Sequence, residues 1–137
     1  MFTEKCFIRK NTSELREKLE NIGYRRRPIK EKYDKYKFLL VYRDGCYNSL
    51  NGDEIGLENY IDCGYNEKLF LAIAALRDDS NEHQWFVWDD DKNDGDKWKL
   101  YDDTPDWSWW IFEVRKATVE ELIEHFNSKY TMYILPA

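Results

Sequence analysis

The segment Trp85–Trp110, WFVWDDDKNDGDKWKLYDDTPDWSWW, constrains the fold of this chain more than any other stretch. It contains all six tryptophans and eight aspartates. Indoles are large apolar groups that favour packing, whereas ionised carboxylates are costly to remove from water. A segment dense in both has to separate them, with indoles in contacts and carboxylates in turns and on outer faces. An antiparallel hairpin does this: residues 83–89 and 97–101 pair across an acidic tip, braced by cross-strand aromatics. Residues 107–114 predict a further strand.

The rest of the chain alternates strand and helix signals. In residues 2–9, Phe2, Cys6 and Ile8 share one parity, as in a strand with one buried face. Asn11 with Glu14 predicts a capped start for a helix running to Ile22, ended by Gly23. Residues 37–43 are apolar on both faces and predict an interior strand. The Asp44-Gly45 turn folds residues 46–50 back onto it. Residues 57–63 predict another strand. Asn66 predicts the cap of a buried helix over about 67–77, and Thr118 with Glu121 predicts a capping box for a helix ending near Asn127. Residues 130–135 predict a last strand. Strands joined by short turns, with about three helices packed on them, make an α+β domain with an antiparallel or mixed sheet. At 137 residues, with no internal repeat or interdomain linker, the expectation is a single domain over 1–137.

Composition narrows the class. Apolar residues make up 42 %, aromatics 17 % and charged residues 35 %, a globular and well-solvated balance. The net charge of −6 disfavours a general nucleic-acid binder and an anionic membrane partner. Cys6, Cys46 and Cys63 have neither metal-ligand nor disulfide spacing, so they read as free thiols of a reducing compartment. The start of the chain is charged within a few residues, unlike a signal peptide. The longest apolar run, Leu69–Leu76, is far short of the roughly 20 residues that cross a bilayer. The expected location is the cytoplasm, with no membrane association.

Several constellations invite a chemical reading. Asp89, Asp91 and Asn93 alternate as in a calcium loop. That loop needs Gly at its sixth position and Glu at its twelfth, and counting from Asp89 these are Asp94 and Leu100. Glu121 and His125 stand one helical turn apart, without a second His nearby to complete a metal site. No metal site and no cofactor are therefore expected. Asp62-Cys63-Gly64 joins a strand to a helix, where a thiol can be activated. This triplet resembles the nucleophile segment of papain-like hydrolases, including cell-wall peptidases. The resemblance implies a His on a following strand, for which His83 is the counterpart, oriented by Asp62 or Asp89. The spacing is much shorter than in those families, and Cys63 precedes its helix by several residues. A cysteine hydrolase using Cys63 and His83 is accordingly an alternative, not the main expectation.

Arg25–Lys37, RRRPIKEKYDKYK, carries a local charge of +5 and is interleaved with tyrosines. Arg25, Arg26, Arg27, Lys30 and Lys32 would be the contacts of a nucleic-acid alternative, which the acidity of the whole chain disfavours. The leading expectation is a non-enzymatic binding or accessory protein acting through protein–protein contact. Trp107, Trp109 and Trp110 would supply the aromatic anchor, with Asp89, Asp90 and Asp91 as a charged rim. Segments of opposite charge also permit homo-oligomerisation.

Three passages carry a second resemblance: FIRKNTSELREKLENIGY, IDCGYNEKLFLAIAALRDD and RKATVEELIEHF. Together they resemble a family of short uncharacterised proteins from gut bacteria and their phages or mobile elements. The likeness covers most of the chain. It implies a cytoplasmic accessory role encoded by a mobile element, and it brings no assigned activity or binding residues.

Overall fold

The computed structural model describes residues 1–27, 36–50, 57–89, 98–101 and 113–134. The fold is α+β. It has a mixed five-stranded sheet, a three-stranded sheet and, among the described residues, three helices. The chain divides into two compact units, Met1–Asp78 and Asp79–Ala137.

The first unit contains β1 (Cys6–Ile8), α1 (Ser13–Ile22), β2 (Arg25–Arg26), β3 (Phe38–Val41), β4 (Cys46–Leu50), β5 (Ile61–Asp62) and α2 (Glu67–Ala74). Its sheet order is β2-β4-β3-β1-β5. The inner pairs β1/β3 and β3/β4 are antiparallel; the outer pairs β1/β5 and β2/β4 are parallel. β3 is interior, as its two-sided apolarity predicts. The Asp44-Gly45 turn closes the β3–β4 hairpin, with Gly45 at φ 87°.

Strand alternation gives this sheet two different faces. Cys6, Ile8, Leu39, Val41, Tyr47 and Ser49 lie on one, all at or below 2 % exposure. The helices pack there through Leu15 and Leu19 of α1 and Leu69, Phe70 and Ile73 of α2. Burying each such side chain contributes about 1.5–3 kcal/mol. Two buried tyrosine hydroxyls find partners, as burial requires. The Tyr24 hydroxyl donates to the Ala74 carbonyl at 2.7 Å, and that of Tyr47 donates to the Glu20 carboxylate. Burial raises both phenols, that of Tyr47 to about 12 with Glu20 adding to the shift.

The helix ends follow local chemistry, with one correction. Thr12, not Asn11, caps α1: its Oγ1 accepts from Leu15 N at 3.1 Å. Asn11 is engaged elsewhere, donating to the Tyr36 carbonyl at 2.7 Å and accepting from Arg16. Gly23 ends the helix at φ 125°, its N–H reaching Leu19 O and Glu20 O. Asn66 caps α2 through Leu69 N at 3.1 Å.

The predicted strand over 57–63 is shorter than expected. Leu57–Asn59 form a 3-10 turn, and only Ile61–Asp62 join the sheet. Leu57, Glu58 and Asn59 supply none of the alternation that fixes a register.

The second unit contains β6 (Gln84–Asp89), β7 (Trp98–Tyr101), β8 (Glu113–Lys116) and α3 (Val119–Ile134). β6 is central and antiparallel to both neighbours; Trp85 faces Leu100, and Val87 faces Trp98. The segment that carries the tryptophans is thus paired strand in its described parts. Phe86, Ala117, Leu122 and Phe126 are buried, and Trp85 meets Phe126 edge-on at 5.2 Å between ring centroids. The capping box is reciprocal: Glu121 N donates to Thr118 Oγ1 at 3.2 Å, and Thr118 N donates to Glu121 Oε1 at 3.0 Å.

The predicted last strand over 130–135 is overturned, because α3 continues to Ile134. Aromatic and β-branched residues there suggest a strand. However, no Gly or Pro stands between Asn127 and Ile134 to stop the helix, and extending a nucleated helix is cheap. Of the strand predicted over 107–114, only residues 113 and 114 are described, and they open β8 (Glu113–Lys116).

Candidate functional site

The other face of the first unit's sheet is chemically different. Parity places Lys5, Phe7 and Arg9 on it from β1 and its flanks, and Phe38, Leu40 and Tyr42 from β3 and its flank. Tyr60 and Asp62 come from the β5 segment, Cys46 and Asn48 from β4, and Arg25 and Arg27 from β2 and the residue after it. Phe7 and Leu40 in the middle are buried; the residues around them are half-buried or exposed.

At one end of this face, cations and tyrosines form a continuous row. Lys5 Nζ lies 4.9 Å from the Tyr60 ring centre, Tyr60 meets Tyr42 edge-on at 6.2 Å, and the Arg27 guanidinium lies 4.0 Å from the Tyr42 ring centre. Desolvation raises the Tyr60 phenol, Tyr42 adds to the shift, and Arg27 opposes it. The register extends the row: Tyr42 N donates to Cys46 O at 2.9 Å, and Cys46 pairs with Arg25. Across the sheet the sequence is therefore Tyr60, Lys5, Tyr42, Cys46, Arg25, with Arg27 lying over Tyr42. Cation–π contacts at such partly exposed sites are worth about 0.5–1 kcal/mol each. Together they hold the cations in a fixed line.

At the other end Arg9 sits over both Phe7 and Phe38 and pairs with Asp62 at 2.8 Å. Burial alone would raise the Asp62 carboxyl. The Arg9 guanidinium and the Gly64 N–H outweigh it and hold the group below the usual carboxylate range.

Among the sequence-selected residues, Arg25 and Arg26 are exposed on β2 and Arg27 is half-buried in the row. Lys30 and Lys32 lie outside the described residues, as do Trp107, Trp109, Trp110, Asp90 and Asp91. Asp89 closes β6 opposite Glu113. Cys63 is 3 % exposed in the first unit; its N–H donates to Phe7 O at 2.9 Å and its Sγ lies 3.9 Å from Ile61 O. His83 belongs to the second unit, at φ 59° just before β6. Asp62, named above as an orienting group for that pair, is held by Arg9.

Lys5, Tyr42 and Tyr60 escape a sequence reading because 37 and 55 positions separate the two tyrosines from Lys5. The odd parity of Lys5, Phe7 and Arg9 was the available signal: a cation–aromatic–cation alternation opposite the apolar face.

Among the described residues, no three or more His, Cys, Asp or Glu side chains gather to hold a metal ion. No described helix is long and apolar enough to cross a membrane. Comparison with protein-family profiles, with curated proteins and with solved structures gives no match.

Proposed function

We propose that the protein is a non-enzymatic binding module of the cytoplasm, an accessory protein that works through protein–protein contact. The observation that carries this reading is the row of Lys5, Tyr60, Tyr42 and Arg27. Tyrosine and arginine dominate the energetics of protein interfaces because each combines a large apolar body with directed polar groups. Here each stands one residue beyond a strand end, and backbone hydrogen bonds of Lys5, Tyr42 and Arg27 tie them to the sheet, which lowers the entropy lost on binding. Three free thiols suit the reducing location.

Site-specific crosslinking tests the proposal. A benzoylphenylalanine replaces Tyr60 in one protein and the exposed Glu17 of α1 in another, and both are expressed in the native host. The expected result is a discrete adduct from the first alone, lost when Tyr42→Ala is added to a protein that keeps its circular dichroism spectrum. Equal adducts from both positions, or none from the first, would overturn the proposal.

A further inference from the structure

The row also has an unspent electrostatic capacity. Asp62 pairs with Arg9 at the far end, and Asp44 reaches Arg27 at only 3.5 Å, with both side chains about half exposed. Among the described residues, no carboxylate pairs with Lys5 or Arg25. These two cations flank Tyr42 and Cys46 at the same level of the sheet. They are three strand spacings apart, about 14 Å.

We infer that this row receives an acidic segment of a partner protein in extended conformation, crossing the strands from Lys5 to Arg25. This rests on the binding reading above and specifies its partner. An extended chain advances about 3.4 Å per residue, so carboxylates about four residues apart reach both cations. The residues between them lie over Tyr42 and Cys46, and the Arg27 guanidinium offers a further donor once its weak hold on Asp44 is released.

The same cations favour a protein over a nucleic acid. A polynucleotide gains affinity by engaging many phosphates, each releasing counterions, against the repulsion of a chain with net charge −6. Two or three cations suffice for a short acidic peptide, whose apolar residues can use the tyrosine faces.

Cys46 supplies a reporter inside the row. It is half-buried, whereas Cys6 and Cys63 are at 0 % and 3 % exposure. The probes are a fluorescein-labelled peptide repeating Glu-Leu-Leu-Glu, its lysine counterpart and a labelled oligothymidylate. The readouts are anisotropy and the rate of Cys46 alkylation by iodoacetamide in the intact protein. The acidic peptide is expected to bind and to slow alkylation. Lys5→Glu with Arg25→Glu should weaken it by about tenfold or more, and so should raising salt from about 0.05 to about 0.5 M.

Binding by the oligothymidylate while the acidic peptide is silent would overturn the inference in favour of a nucleic acid. So would acidic-peptide binding that leaves Cys46 unprotected and ignores the charge reversal. The two levels of the argument separate cleanly. If Tyr60 still crosslinks its partner in the charge-reversed protein, the acidic-segment inference falls and the binding module stands. If Tyr60 gives no crosslink in the wild-type background, the module itself falls.

Discussion

The two units differ in charge more than in architecture. Met1–Asp78 holds fifteen lysines and arginines against thirteen acidic residues, a net of +2, while Asp79–Ala137 holds six against fourteen, a net of −8. The first builds a five-stranded sheet with helices on one face. The second sets one described helix beside three strands and contains every tryptophan. The whole-chain value of −6 is thus a sum of two unlike regions. Electrostatic potential acts over roughly a Debye length, about 8–10 Å, so a partner meets a local charge and not the total. A short acidic segment senses only the row.

The largest effect that sharpens this contrast lies in the first core. Phe70→Ala removes a fully buried ring of α2 and should cost about 3–5 kcal/mol. In urea, the transition followed by far-ultraviolet circular dichroism should shift strongly, while tryptophan fluorescence, confined to the second unit, keeps its midpoint. Coincident shifts would break the two-unit division.

Gly23→Ala places a side chain at φ 125° and should cost about 1–2 kcal/mol on the same circular dichroism transition. Its ideal Cβ meets Phe2 only at 3.5 Å, so the cost is conformational and a full loss of folding would contradict it.

Thr118→Ala acts on the other side, removing one arm of the capping box. The tryptophan-detected stability should fall by about 1 kcal/mol.

A smaller, pH-dependent effect concerns Glu121. Hydrogen bonds from Arg115 at 2.6 and 2.8 Å outweigh a partial burial penalty and, with Thr118, lower its carboxyl from 4.5 to about 2. A depressed folded-state value means that this stabilisation is complete above the unfolded value and is lost as pH falls from about 4.5 toward 2. Glu121→Gln should flatten that part of the tryptophan-detected pH profile. An unchanged profile would remove the assignment.

The smallest effect is kinetic. Cys46 should alkylate first in the native protein. Cys63 should wait for unfolding, and so should Cys6, whose thiol is raised chiefly by burial. A native Cys63 reacting ahead of Cys46 would favour a chemical role for it.

What the sequence disclosed follows the range of the forces involved. The Asn66 cap, the Thr118–Glu121 box, Gly23 and the Asp44-Gly45 turn are decided within a few residues, and each is legible. The cap of α1 falls one residue later than expected because Asn11 and Thr12 compete for it, and Asn11 is drawn away by the Tyr36 carbonyl, 25 positions along the chain. The end of α3 was missed because strand-like residues follow a capped helix without a stop signal. The parallel pairings β1/β5 and β2/β4 join segments far apart in the chain and leave no local mark. The candidate site shares that obscurity. Its arginines stand out as a run, but its tyrosines acquire meaning only when the register sets them beside Lys5.

The outermost strands, β2 and β5, are two residues each and bear Arg25, Arg26 and Asp62. A long, flat, uncharged border would template strand addition by any neighbouring chain. Among the described residues, these borders give an incoming backbone almost nothing to hydrogen-bond, and they present ionised groups that resist drying. The first unit therefore carries its own protection against edge-to-edge stacking and amyloid-like growth, even in a crowded cell.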